Sequence, residues 1–324
     1  MHLFKSAHLA QILKSALGIG AVLLIGVLYF VLMKIDTGSL PIDARVTPEV
    51  LRGPYTHRHP TVLVTYANGP EVFLKNQHLL AQSALGKGFD TVHIYRQGHI
   101  DPAFYARHKD ILDQPRGAGY WLWKPYFILR TMEASPEGAI ITYADSSMVF
   151  AKSMAPLFAL LDKTPIVFAG NNRPESVRTY LKMESRKALG IAKDDPRLDF
   201  KKIWAPFMIF KNTPQTRAFV TEWLALCEVR EALTDEPFDE ATQDEVFIRH
   251  LHDEALVSLV LAKHPSIATV IPKNELLAKY GVSNAHRHPH QEHTSPLFVR
   301  AGLPEWLSNA LFNNPLIVFI RKRL

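Results

Sequence analysis

Ala139-Ile-Ile-Thr-Tyr-Ala144, followed at once by Asp145-Ser-Ser147, is the stretch that decides how this chain folds. A short apolar run that stops at a polar turn, with isoleucine, threonine and tyrosine in it, reads as a strand buried on both faces. A carboxylate placed where such a strand stops lies at the carboxyl edge of a sheet, which is where open α/β sheets bind ligands. Upstream, Thr61-Val-Leu-Val-Thr-Tyr-Ala67 and Thr91-Val-His-Ile-Tyr95 are runs of the same kind, and Pro165-Ile-Val-Phe-Ala169 follows downstream. Glu71 to Leu85 and Lys124 to Glu133 have helical spacing. Asp101 is placed to cap a helix through Leu112 with Pro102 at its first position. Strands alternating with helices imply βαβ units and a mainly parallel sheet. The second half is more mixed, with strands expected at Pro206 to Phe210 and Ile267 to Ile271 and helices at Pro214 to Arg230 and Asp244 to Lys263.

The composition sets the class. Of 324 residues, 47% are hydrophobic and 21% charged, which is ordinary for a globular chain and leaves no disorder bias. The net charge of +6 favours anionic partners such as nucleotides, phosphates or membrane headgroups. The lysines and arginines are scattered rather than gathered in one tract, so nucleic acid is not expected as a partner. Cys227 is the single cysteine, which excludes an intrachain disulfide and a cysteine-based zinc framework. It reads as a small buried residue on an apolar helix face.

Near the N-terminus, Ser15 to Met33 is an uncharged run bracketed by Lys14 and Lys34. At 1.5 Å per residue it spans roughly 28 Å, close to the thickness of a bilayer's hydrocarbon core. It is therefore expected to be a single transmembrane anchor at 15–33, preceded by a tail at 1–14 and followed by a Pro-containing linker at 34–60. A single-pass membrane location follows. The flanking charges and the absence of glycosylation sequons point to opposite orientations, so the side on which the domain lies stays open. A domain at 61–300 is expected next. At 301–324, the apolar stretch Leu311 to Ile320 ends in Arg321-Lys-Arg323, which suits either an anionic membrane interface or a packed last element.

Several residues could carry chemistry. Asp145, with Ser146 and Ser147 behind it, offers hard oxygen ligands that suit Mg²⁺ or Mn²⁺, or it simply caps the next turn. Arg116-Gly-Ala-Gly-Tyr-Trp-Leu-Trp-Lys-Pro125 has glycines for a tight loop, then Tyr120, Trp121 and Trp123 crowded beside Lys124. Pro125 suits the first turn of a helix, whose N-terminus would favour an anion, with Lys124 and Arg116 adding charge. The rings could stack on a base or a sugar, or fill the core beneath the loop. His250 and Glu254 stand four apart and would share a helical face, with Asp253 and Glu254 as cap or general base. His286, His288, His290 and His293 form either a metal-binding or a solvated polar segment.

Together these segments resemble a known family. Gly119-Tyr-Trp-Leu-Trp-Lys-Pro125, Ile141-Thr-Tyr-Ala-Asp145, Ala205-Pro-Phe-Met-Ile-Phe-Lys-Asn-Thr-Pro214 and His252-Asp-Glu-Ala-Leu256, in that order and spacing, resemble the GT-A-fold glycosyltransferases of the nucleotide-diphospho-sugar transferase type. The resemblance covers most of Thr61 to Lys263, and its first segment is the most specific. It implies a Rossmann-like GT-A fold: an α/β domain with a mixed, mainly parallel sheet flanked by helices, here preceded by the transmembrane helix. It implies an enzyme of the EC 2.4 class that moves a sugar from a nucleotide-diphosphate donor to a glycan, lipid or protein acceptor. Thr65, Tyr66, Arg116, Tyr120, Trp121, Trp123 and Lys124 would bind the donor, and Asp145, Asp253 and Glu254 would be catalytic. The family's metal motif commonly reads Asp-x-Asp. Here it is Asp145-Ser-Ser147, so a divalent cation would need Asp145, Ser147 and a ligand from elsewhere, for which His288 is the candidate. An inverting enzyme would need a base beside the acceptor, and a retaining one would not. The alternative is a membrane-tethered protein that binds carbohydrate or metal without turnover.

Overall fold

The computed structural model describes residues 49–52, 59–170 and 175–284. The run at 15–33 expected to be an anchor, the C-terminal segment and His288 lie outside the described residues. Among the described residues, no helix is long and apolar enough to cross a membrane.

The strands are β1 (Glu49–Arg52), β2 (Thr61–Tyr66), β3 (Thr91–Tyr95), β4 (Ile140–Ala144), β5 (Met148–Phe150), β6 (Ile166–Gly170), β7 (Ile203–Lys211), β8 (Ala268–Pro272) and β9 (Val282–Asn284). Seven of them form one sheet in the order β1-β3-β2-β4-β7-β6-β8, while β5 and β9 pair separately. Within it β2, β3, β4, β6 and β8 run in one direction, and β1 and β7 run against them. The mainly parallel α/β sheet read from the sequence is therefore what the chain forms, with one antiparallel strand set into its middle.

The longer helices are α1 (Glu71–Ala84), α2 (Trp123–Ala134), α3 (Pro214–Cys227), α4 (His252–Lys263) and α5 (Lys273–Tyr280). Side chains alternate across the strands and feed two cores. Val62, Val64 and Tyr66 of β2 and Ile141 and Tyr143 of β4 join the core shared with α2, α3 and α4. Leu63 and Ala144 join the other core, with α1 and α5. Both faces of the sheet are covered, which explains why its strands read as apolar runs rather than alternating ones. Cys227 is buried at the end of α3.

The chain departs from the sequence reading in several places. Glu49–Arg52, expected in the linker, pairs antiparallel with β3. The helix expected from Asp101 to Leu112 breaks at His108 into Pro102–Arg107 and Lys109–Leu112, although Asp101 does cap the first piece, accepting from the amides of Ala103 and Phe104 at 3.0 Å. The helix expected from Asp244 begins only at His252. Residues 244–247 instead form a turn, and 248–251 run alongside Thr179 and Tyr180. Ile248 N donates to Thr179 O at 3.0 Å, Leu251 N donates to Tyr180 O at 3.0 Å, and Asp244 receives Arg186 at 2.5 Å. Val246 and Ile248 of this segment are exposed.

Candidate active site

The glycine-containing segment before α2 forms a tight turn of unusual hand. Gly117, Ala118, Gly119, Tyr120 and Trp121 have φ of 57, 50, 100, 49 and 61°. Three of these are not glycine, and a non-glycine residue in this region costs of order 1–3 kcal/mol. At Gly117 a Cβ would meet the Trp121 ring at 2.5 Å, and at Gly119 it would meet Leu112 Cα at 2.8 Å, so neither position admits a larger residue. The turn is held by its own aromatics. Trp123 Nε1 donates to Gly117 O at 2.9 Å. Its ring stacks on Tyr66, with centroids 4.0 Å apart. That stack docks the turn on the end of β2.

The turn delivers Lys124 into the interior, where its side chain is only 3% exposed. Its Nζ lies 2.6 Å from Asp253 Oδ2 and 3.8 Å from Asp145 Oδ1. Burial pulls the lysine pKa down, but Asp253 and Asp145 outweigh it and hold the amine above its ordinary value, so it stays charged. Burial pushes Asp253 up to about 6, with Lys124 working against that. Tyr143 hydroxyl donates to Asp145 Oδ1 at 2.5 Å, and the Asp145 amide donates to Pro206 O at 2.9 Å.

Glu254, next along α4, turns the other way. One carboxylate oxygen takes Lys202, and the other accepts from Ala205 N at 2.9 Å. Ser258 of the same helix reaches the backbone of Ile203 at 3.2 Å. The first half of β7 is thus fastened to the helix that carries both carboxylates.

His252 opens α4 with φ 44°. It is the fourth non-glycine residue with positive φ among the described residues, and the other three lie in the turn it touches. Its ring stacks on Trp121 with centroids 5.2 Å apart, and its Nδ1 lies 2.8 Å from Leu233 O. Burial lowers its pKa to about 4, so the ring is neutral near pH 7. Asp235 ties the turn down from outside. It accepts from Tyr120 hydroxyl at 3.0 Å and pairs with Arg116 at 3.1 Å, and His252 Nε2 lies 3.7 Å from it. Lys182 fixes this loop by donating to the carbonyls of Asp235 and Pro237.

The sequence-derived candidates therefore mostly meet. Asp145, Lys124, Asp253 and Glu254 form one charged cluster. Arg116, Tyr120, Trp121 and Trp123 form the turn against it, and Tyr66 joins through Trp123. Thr65 is fully buried on the opposite face of β2 from Tyr66. Ser147 sits in the short turn between β4 and β5. Lys124, read from the sequence as a phosphate ligand on the loop, is instead enclosed and paired with two carboxylates. The expectation that His250 and Glu254 share a helical face fails, because the helix starts after His250, whose ring instead contacts the backbone of Tyr180 and Leu233. Tyr143, Lys202, Asp235 and His252 contribute without having been singled out as site residues. Tyr143 and His252 stood inside recognised segments, whereas nothing in the sequence connects Lys202 or Asp235 to them. Among the described residues there is no group of three or more histidine, cysteine, aspartate or glutamate side chains poised to hold a metal ion.

No protein-family model matches the chain, and no curated protein matches it. Solved structures of glycosyltransferases are similar to it. The galactosyltransferase LgtC, in complex with donor and acceptor sugar analogues, is 11% identical, with 76% of this chain covering 99% of that one at a TM-score of 0.38. Mouse xyloside xylosyltransferase 1 is 11% identical, with 66% of this chain covering 84% of that one at 0.35. The glycosyltransferase GlyE of Streptococcus pneumoniae is 12% identical, with 79% of this chain covering 63% of that one at 0.38.

Proposed function

We propose that this chain transfers a sugar from a nucleotide-diphosphate donor to an acceptor hydroxyl, with the chemistry centred on Asp145. One observation carries the reading. The four segments that resemble the nucleotide-diphospho-sugar transferases, distant in sequence, are joined by direct contacts: Lys124 to Asp253, Lys124 to Asp145, and Glu254 to the amide of Ala205. Packing alone does not require segments selected for their motif character to meet through their charged groups. Buried charge and strained backbone gather at the same place, as they do where a protein is built to act rather than only to fold.

In such a transfer the bond from the anomeric carbon to the diphosphate oxygen breaks, and its electron pair leaves with the diphosphate. The acceptor oxygen bonds to the anomeric carbon and releases its proton. The site must stabilise charge on the departing diphosphate. Asp145 is the most exposed member of the cluster and lies at the sheet's carboxyl edge. Its Oδ1 is engaged by Tyr143 and approached by Lys124, while Oδ2 has neither contact. An anionic oxygen followed by serine hydroxyls fits one side of a hard divalent cation, Mn²⁺ or Mg²⁺. Asp145 and Ser147 would hold the cation together with His288, and the bound ion would act as a Lewis acid on the diphosphate. Asp253 is enclosed on Lys124, and Glu254 uses both oxygens on Lys202 and Ala205. We therefore assign these two to holding the site rather than to taking the acceptor's proton.

The apolar run at 15–33 would anchor the domain in a membrane beside its acceptor. Deleting residues 1–36 should shift the protein from the membrane fraction to the soluble one, and full retention in the membrane would sink this part of the reading. The activity itself is tested by incubating the full chain with a panel of nucleotide sugars and measuring release of nucleoside diphosphate. Release that depends on an acceptor supports transfer. Tight binding of a donor without release would favour a binding protein instead.

A further inference from the structure

Tyr143 lies two residues before Asp145 on β4, so both side chains emerge on the same face of the sheet. Its ring is enclosed, with the Lys124 ammonium 5.3 Å and the Trp123 ring 6.3 Å from its centroid. Phenylalanine would fill this space as well and would bring no polar group into the core. Among the described residues the hydroxyl has one hydrogen-bond partner, Asp145 Oδ1 at 2.5 Å. A phenol O–H facing a carboxylate can only donate to it, since an ionised carboxylate is acceptor-only. The ammonium near this carboxylate, Lys124 Nζ, approaches the same oxygen at 3.8 Å. Both contacts fall on Oδ1 and neither on Oδ2. The carboxylate torsion of an aspartate is otherwise broad and roughly two-fold, so a donor on one oxygen is what would choose its orientation.

We propose that Tyr143 is a positioning residue whose hydroxyl fixes the rotation of the Asp145 carboxylate, so that Oδ2 is the oxygen presented to the diphosphate end of the donor. The inference rests on the functional reading above and adds a residue to it. Lys124 contributes to the same alignment, but it also neutralises Asp253, so its removal would confound placement with stability. Tyr143→Phe removes the hydroxyl alone and keeps the ring under Lys124.

The test is a double-mutant cycle combined with a crystal structure of the variant. Tyr143→Phe should lower kcat for nucleotide-sugar turnover about ten- to a hundredfold, the range for loss of a hydrogen bond to a charged group. The donor KM should stay within about twofold if the bond serves alignment rather than ground-state binding. In an Asp145→Asn background the same substitution should cost less than about twofold, because a residue that acts only through Asp145 has nothing left to position. The crystal structure of Tyr143→Phe should show the Asp145 carboxylate rotated or spread over two orientations. Equal losses in both backgrounds, or a carboxylate that stays in place with kcat unchanged, would overturn the proposal. If the wild-type chain turns over no nucleotide sugar, the glycosyltransferase reading falls, and the crystal structure alone then decides: a rotated carboxylate upholds the role of Tyr143, and an unmoved one removes it.

Discussion

In the middle of the sheet, Ile166, Val167 and Phe168 of β6 face Met208, Ile209 and Phe210 of β7, and all six side chains are apolar and buried. At the carboxyl end of β4, a few residues away, the same sheet surrounds Lys124, Asp145 and Asp253 with a left-handed turn and a helix that starts at positive φ. The first region is what the hydrophobic effect builds when nothing opposes it. The second carries charges and backbone angles that each cost free energy. It persists because the apolar layers on both faces, together with α2 and α4 that supply the charges, hold it in place. Within the edge the contrast repeats on a smaller scale. Adjacent residues of α4 meet different lysines: Glu254 has both oxygens satisfied, whereas Asp253 shares its one cation with Asp145 and is pushed up to about 6. A satisfied pair fastens β7 to α4, while a shared cation links the fold to Asp145, the carboxylate proposed to meet the donor.

That contrast can be broken by substitution. The largest effect is expected for Lys124→Ala, which should lose about 3–5 kcal/mol of stability, because it leaves Asp253 enclosed without its cation. Urea unfolding followed by tryptophan fluorescence measures this. A loss below about 1 kcal/mol would show that the buried pair does not hold the edge together.

A smaller effect separates the edge from an ordinary turn. Gly119→Ala should cost about 3 kcal/mol, from a left-handed backbone and a Cβ that would meet Leu112 Cα at 2.8 Å. Gly190→Ala, at φ 64° with nothing within 4 Å, should cost only about 1 kcal/mol. Similar melting temperatures for the two variants would mean that the turn before α2 has room that the contacts do not show.

A further effect is a pH dependence. His252 takes a proton at about 4 in the folded chain and near 6.5 when unfolded. Between those values the unfolded state binds more protons, so this group's contribution is full above about pH 6.5 and is lost as the pH falls toward 4. His252→Asn removes the titration and keeps a residue that tolerates positive φ. Its stability should therefore decline less steeply over that window than the wild type's, and parallel curves would contradict the burial of a neutral imidazole.

Much of the fold was legible. β2, β3, β4 and β6 announce themselves as apolar runs because both faces of the sheet are covered. Glu49-Val-Leu-Arg52 was not legible, since an edge strand of mixed character flanked by prolines and charges has no such run. The segment before α4 misled for a physical reason. Val246 and Ile248 are apolar but exposed, and the chain there is held by Arg186 on Asp244, a contact that periodicity does not report. Of the site, the separate pieces were visible and their joining was not. Lys124 looked like a loop cation because its neighbours are glycines and aromatics. Only the folded chain shows that the left-handed turn drives it inward onto Asp253.

The central claim is that this joined cluster transfers sugar through Asp145, and the most direct test compares wild type with Asp145→Asn on one responsive nucleotide sugar. Asparagine keeps the shape and can cap a turn almost as well as aspartate, so the melting temperature should change by only a few degrees. Release of nucleoside diphosphate should fall by at least about a hundredfold, since the charge that faces the diphosphate or its cation is gone. Asp145→Asn with full activity, unaffected by a chelator, would contradict the claim and leave Asp145 as a strand-end cap.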